Sequence, residues 1–262
     1  MYLRRGVIKP VKIIFTLLIL CLLNGYAVAE KSVHASKELT LATTRWCPYT
    51  CFDERKEFGI VGIYIEKILS SHNIHLSVVS YPWSRALRLV QSKEVDGLLT
   101  ATPAEAPDLL FSDSPIGSYQ MCFYTVNSSS LRFDKSIDFG NNLLAVVQDY
   151  GYGEPLDSYI KKNKFITSIS GSNVTDRLIS LLIKGRVDVI VTDKLVVDYK
   201  IANHSIDANT IKRAGCLLEN DFYLALRSTR ENENLLEKIN QELIQPENIN
   251  YFKQLKVDIS KE

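Results

Sequence analysis

Apolar and polar positions along this chain switch repeatedly between a period of two and a period of three to four. From Leu39, LTLATT reads as a strand, IVGIYIEKILSSH as an amphipathic helix, HLSVVSY as a strand, WSRALRLVQSK as a helix and VDGLLTAT as a strand. An alternating strand, SYQMCFYTV, follows, and then the polar stretch NSSSLRFDKS breaks the pattern. A second series repeats the motif: strand LLAVVQ, a turn DYGYGE opening a helix through Ile160, strand FITSI, helix NVTDRLISLLIKG, strand VDVIVTD and helix KLVVDYKIA. Strand FYLALRS and helix ENENLLEKINQELI come last, without a series of their own, and are expected to return to the first half.

Strands alternating with helices predict an α/β fold with parallel or mixed sheets, in which ligands bind beyond the carboxyl ends of the strands. The segments after those ends in the first series are TRWCPY, YPWSR and TATPAE. They hold both tryptophans of the chain, with Arg45, Tyr49 and Arg85.

The amino terminus sets the expected compartment. Arg4, Arg5, Lys9 and Lys12 precede the apolar run IIFTLLILCLL, and AVA at Ala27 to Ala29 suits a cleavage site. Residues 1–29 therefore read as a secretory signal peptide and the remainder as periplasmic, with an uncleaved anchor as the alternative. Removing four cations turns 31 Lys+Arg against 30 Asp+Glu into 27 against 30, a net charge near −3. That balance gives no electrostatic footprint for nucleic acid and no polybasic patch for a membrane surface.

Four cysteines follow the signal: Cys47, Cys51, Cys122 and Cys216. An even number in an exported chain favours disulfides, and four allow three pairings. Cys47 and Cys51 are spaced to close a small loop, which leaves Cys122 and Cys216 either to pair or to remain buried thiols. No metal site is read, because His34, His72, His75 and His204 share no ligand spacing with these cysteines.

Several motifs, in order, resemble the family 3 extracellular solute-binding proteins, the receptors of polar amino acid ABC importers. GIVGIYIEKI supplies Gly59, Gly62 and Glu66 of a glycine-containing turn and helix. SKEVDGLLTA supplies Asp96, with Lys93 or Glu94 where the family has glycine, and GRVDVIVTD supplies Gly185, Asp188 and Asp193. FSDSP resembles the family's F-S-x-P. PWSRA followed by TPAEAPD resembles one branch of the family, and the likeness spans nearly all of the chain after the signal.

The resemblance implies a periplasmic binding protein type II-like fold, two α/β lobes with a cleft and two hinge strands. Lobe 1 is expected over 38–124 plus 223–262 and lobe 2 over 125–222, with hinges near Gln120 to Val126 and Tyr223 to Arg227. Cys122 and Cys216 fall in or just before those strands, which favours their pairing. The implied protein is a monomer without cofactor that closes over a small polar solute, an amino acid or related compound, and delivers it to an ABC permease.

The resemblance also singles out one anomaly. Family receptors for amino acids grip the ligand's α-carboxylate with an arginine three residues after a threonine. Here the threonine is Thr102 and the arginine's place belongs to Glu105, which would repel a carboxylate. Three readings follow. The grip moves to Arg85; or Glu105 faces the cleft and favours a cation between Trp46, Trp83 and Tyr49; or Glu105 is a solvated residue in the first turn of a short helix.

From lobe 2, Asp193 corresponds to the family's acceptor for a ligand ammonium, or serves only as an N-cap. Tyr150 and Tyr152, in the turn QDYGYGEP whose backbone donors suit an anion, are placed to cover a bound ring or to pack locally. Trp46 and Trp83 line the cleft or cap the core. The expected ligand contacts are thus Trp46, Tyr49, Trp83, Arg85, Thr102, Glu105, Tyr150, Tyr152 and Asp193. No catalytic motif is legible, so the chain is read as no enzyme, although the fold is shared with cyclohexadienyl dehydratases. The alternative function is ligand sensing through a separate membrane partner.

Overall fold

The computed structural model of the protein describes residues 37–52, 58–133 and 137–259. The signal-peptide reading of residues 1–29 lies outside them. Nine strands are present among the described residues: β1 (Lys37–Thr43), β2 (Ile74–Ser80), β3 (Gly97–Ala101), β4 (Leu110–Phe111), β5 (Gly117–Val126), β6 (Leu144–Val147), β7 (Ile166–Ile169), β8 (Val189–Asp193) and β9 (Ile211–Leu226). Seven helices occur among the described residues: α1 (Gly59–Ser70), α2 (Trp83–Gln91), α3 (Leu156–Lys162), α4 (Val174–Ile183), α5 (Lys194–Ala202), α6 (Arg230–Leu243) and α7 (Pro246–Ile259).

The strands order as β2-β1-β3-β9-β5-β8-β6-β7, with β4 on β9. At one end β1 pairs in parallel with β2 and β3, and at the other β6 pairs in parallel with β7 and β8. Each parallel trio is what a β-α-β-α-β run builds, since the helices carry the chain back across one face. The trios are joined by antiparallel β5 and β9. β5 takes up β8 only from Met121 onward, and β9 takes up β3 and β4 only from Tyr223 onward. Two strands therefore carry the chain from one α/β lobe to the other.

β9 departs from its sequence expectation. The apolar alternation marks only the end, FYLALRS, whereas the strand begins eleven residues earlier, at Ile211. The added portion, IKRAGCLLEND, mixes apolar and polar positions without alternation, and its extended form comes from pairing with β5 from Val126↔Ile211 to Gly117↔Phe222. Cys122 lies directly opposite Cys216 in this ribbon, and their sulfurs are 2.05 Å apart. Cys47 and Cys51 also pair, within their own loop.

Local chemistry repeats between the lobes. Before β3, Asp96 Oδ2 accepts from Thr40 N at 2.9 Å and Oδ1 meets Arg227 at 2.8 Å. Before β8, Asp188 Oδ2 accepts from Leu143 N at 2.8 Å. Each aspartate ties the incoming strand to the lobe's first strand, Asp96 at the middle of β1 and Asp188 just before β6. Three residues earlier the backbone must take the left-handed conformation: Gly185 has φ +62° and Lys93 φ +65°. Lys93, not Glu94, thus occupies the glycine position.

The loop before α1 fixes the first aromatic side chains. Ile60 N and Val61 N, donors with no partner inside the helix, bond to Pro48 O and Tyr49 O at 3.1 and 3.0 Å. Gly59 permits this approach, because a Cβ there would lie 2.5 Å from Tyr49 O and its φ is +66°. α7 packs back onto α1, with the rings of Tyr64 and Phe252 4.8 Å apart.

Candidate functional site

The carboxyl ends of β1, β3 and β6 converge between the lobes, as the strand alternation predicts. They enclose an inner chamber of about 40 Å³ lined by Thr44, Trp46, Trp83, Thr100, Thr102, Glu105, Tyr119, Met121, Tyr150, Gly151 and Phe222. An outer cavity of about 610 Å³ lies on the far side of Glu105, Tyr150 and Gly151, which wall both spaces.

Glu105 is the charged residue of the inner chamber. The turn Thr102 to Glu105 closes through Glu105 N to Thr102 O at 3.0 Å, and the side chain folds back so that Oε2 accepts from Thr102 N and Oγ1, both at 2.9 Å. This is half of a capping box without a helix behind it. Oε1 reaches the other lobe and accepts from Gly151 N at 2.8 Å. The Trp83 indole N–H is buried and lacks a partner in hydrogen-bond geometry, yet it faces this carboxylate closely enough to lower its pKa. Burial outweighs all four donors and pushes the Glu105 carboxyl up to about 6 from an ordinary 4.5.

Gly151 is held from both sides. Besides donating to Glu105, its carbonyl accepts from Tyr119 Oη at 2.9 Å. A Cβ at Gly151 would lie 3.1 Å from both Glu105 Cγ and Thr102 Oγ1.

The aromatic wall is continuous. Trp46 stacks on Tyr49 at 4.2 Å and meets Tyr119 and Phe222 edge-on at 5.8 and 5.7 Å. Trp83 and Tyr150 meet edge to face at 6.4 Å across the lobes, and the Tyr150 hydroxyl lies beside Thr44.

The nine expected ligand contacts divide. Trp46, Trp83, Thr102, Glu105 and Tyr150 line the inner chamber. Tyr49 does not: it is 4% exposed, donates to Ser118 O at 3.1 Å and backs Trp46. Tyr152 is buried behind Tyr150 and accepts from Val147 N through its hydroxyl at 2.6 Å, reaching only the outer cavity. Asp193 is fully buried and caps α5. Its Oδ1 accepts from Val196 N at 2.9 Å and its Oδ2 from Gln120 N at 3.0 Å, so both oxygens serve the backbone. Burial raises its carboxyl to about 6 from 3.8.

Arg85 stands apart from the chamber. It is exposed on α2, with its guanidinium 4.3 Å from the centre of the Tyr81 ring, so a carboxylate grip relocated to Arg85 has no support in this arrangement. The turn donors proposed for an anion are also taken: Tyr152 N and Gly153 N both donate to Asp157 at 3.0 Å. Tyr119, Phe222, Met121 and Gly151 were not singled out in the sequence. Tyr119 and Met121 do stand on one side of an alternating strand, which is a signal of inward orientation, but nothing local tells a chamber from a core.

No protein-family model matches the chain, and no curated protein matches it by sequence. Solved structures do match in three dimensions. The arginine-bound form of truncated ArgBP from T. maritima is 21% identical, with a TM-score of 0.63 over 79% of this chain and 94% of that one. The arginine-, lysine-, histidine-binding protein ArtJ from Geobacillus stearothermophilus is 16% identical, with a TM-score of 0.69 over 86% and 96%. The periplasmic VFT2 domain of Bordetella pertussis BvgS is 17% identical, with a TM-score of 0.65 over 86% and 92%. The chain has the type II periplasmic binding protein fold. Its two lobes, cleft and paired hinge strands are those that the strand order and the β5–β9 ribbon describe. ArgBP and ArtJ are amino-acid-binding proteins. No helix among the described residues is long and apolar enough to cross a membrane.

Proposed function

We propose that this protein is an exported solute-binding protein of the periplasm, with lobe 1 over 38–124 plus 223–262 and lobe 2 over 125–222, and no catalytic role. It closes over a small polar solute and presents it, as a monomer without cofactor, to an ABC permease. The observation that carries this reading is the inner chamber itself. Its walls come from both lobes, and Gly151 of one lobe meets Glu105 and Tyr119 of the other, so the chamber exists only when the cleft is shut. A ligand that touches both walls binds the closed state better than the open one, which is the condition for coupling binding to closure.

The test is calorimetric titration of the purified protein lacking residues 1–29 against amino acids, amines, small carboxylates and peptides, with X-ray scattering alongside. Saturable binding of one class, with compaction or a changed lobe angle, supports the reading. Failure of every class to bind would remove it.

Sensing through a separate membrane partner is a second reading. It is favoured by the likeness to the BvgS VFT2 domain, which matches about as well as the amino-acid-binding structures do. The two separate on the partner: co-purification with a permease, or with a membrane sensor.

A further inference from the structure

The donors that would receive a ligand carboxylate are already engaged by the protein. Thr102 N, Thr102 Oγ1 and Gly151 N, drawn from both lobes, converge on the Glu105 side chain at 2.8 to 2.9 Å. A ligand carboxylate entering here would lose those donors to Glu105 and stand beside a like charge. The residues lining the inner chamber include no lysine, arginine or histidine, while five of them are aromatic: Trp46, Trp83, Tyr119, Tyr150 and Phe222. A carboxylate among ring faces, with hydrogen-bond donors but no counter-charge at the chamber wall, is the complement of an organic cation.

We propose that the cleft selects organic cations that carry no carboxylate, amines and their alkylated relatives, with Glu105 as the counter-charge and the aromatic wall around the ammonium head. This rests on the solute-binding reading and narrows it. The chamber of about 40 Å³ is sized for a head group, and the cavity of about 610 Å³ beyond the Glu105–Gly151 wall has room for a chain. That outer space is mixed in charge, with Arg88 and Lys161 against Asp149 and Asp157, so the discrimination belongs to the inner chamber.

Matched pairs that differ only in the carboxylate test this: agmatine against arginine, and cadaverine against lysine, by calorimetry on the protein lacking residues 1–29. The amine of at least one pair is expected to bind about tenfold or more tighter than its amino acid. Glu105→Gln, which keeps the side chain's shape, is expected to weaken that amine about tenfold while thermal melting shows a folded protein. Equal or tighter binding of arginine and lysine overturns the proposal, as does an amine affinity indifferent to Glu105→Gln. If all four are silent and another solute class binds, this inference falls and the solute-binding function stands. Silence across every class removes both.

Discussion

Glu105 Oε1 and Gly151 N, in different lobes and 46 positions apart in the chain, share a hydrogen bond of 2.8 Å. A Cβ there would stand 3.1 Å from both Glu105 Cγ and Thr102 Oγ1, so these side chains would have to give by a few tenths of an ångström. Gly151→Ala is expected to hold the lobes apart, increasing the radius of gyration in X-ray scattering and weakening solute binding about tenfold. A charge-assisted hydrogen bond contributes about 1.5 to 3 kcal/mol, enough for such an effect. An unchanged scattering profile would show that the contact does not govern closure.

Stability should fall as pH rises from about 4 to 6. Glu105 and Asp193 both have carboxyl groups raised to about 6, chiefly by burial, from 4.5 and 3.8. The folded protein therefore binds protons more tightly than the unfolded chain in that window. The stabilisation is fully present below the lower value and lost through the upper one. A shift from 4.5 to about 6 is worth about 2 kcal/mol. Chemical denaturation at pH 4.5 and 7 measures it. Glu105→Gln should flatten the slope in part, leaving the share of Asp193.

The Cys122–Cys216 bridge spans 94 residues and ties the two hinge strands where they lie opposite each other. By loop entropy, removing it costs about 4 to 5 kcal/mol. The double Cys→Ser variant should show a clearly lower melting temperature, and the unmodified protein should show no free thiol at either position. A titratable thiol there would remove the assignment.

Lys93 holds a left-handed backbone at φ +65° where the equivalent turn of the other lobe has Gly185. A side chain in that conformation costs about 1 kcal/mol, so Lys93→Gly should stabilise the protein by up to that amount. The expected rise in melting temperature is about 2 to 4 °C. A loss of stability would mean that glycine's greater freedom in the unfolded chain outweighs the relieved strain.

Two α/β lobes were legible because parallel β-α-β units write their pattern locally: α2 presents an apolar stripe, and β6 and β8 are short buried runs. Asp96 and Asp188 could be picked out because each sits a fixed three residues after its turn. The first part of β9 was not legible, since its residues are extended by the partner strand rather than by their own alternation. Asp193 could be read equally as ligand contact or helix cap, because both uses place an acid at the end of a strand and before a helix. Its two backbone donors show the cap use, which the tertiary structure adds to the local pattern.

Glu105 shows most plainly where local information stops. By itself the sequence determined that an acid stands three residues after Thr102, at the position where the resemblance implies an arginine, and that two tryptophans follow neighbouring strand ends. Only the tertiary structure decided that this acid crosses the cleft to Gly151, that Trp83 and Tyr150 meet above it, and that Arg85 lies outside. The reason is physical: side-chain chemistry and strand periodicity are written within a few residues. The chamber is made by groups from Thr44 to Phe222 that meet only when both lobes are folded and shut.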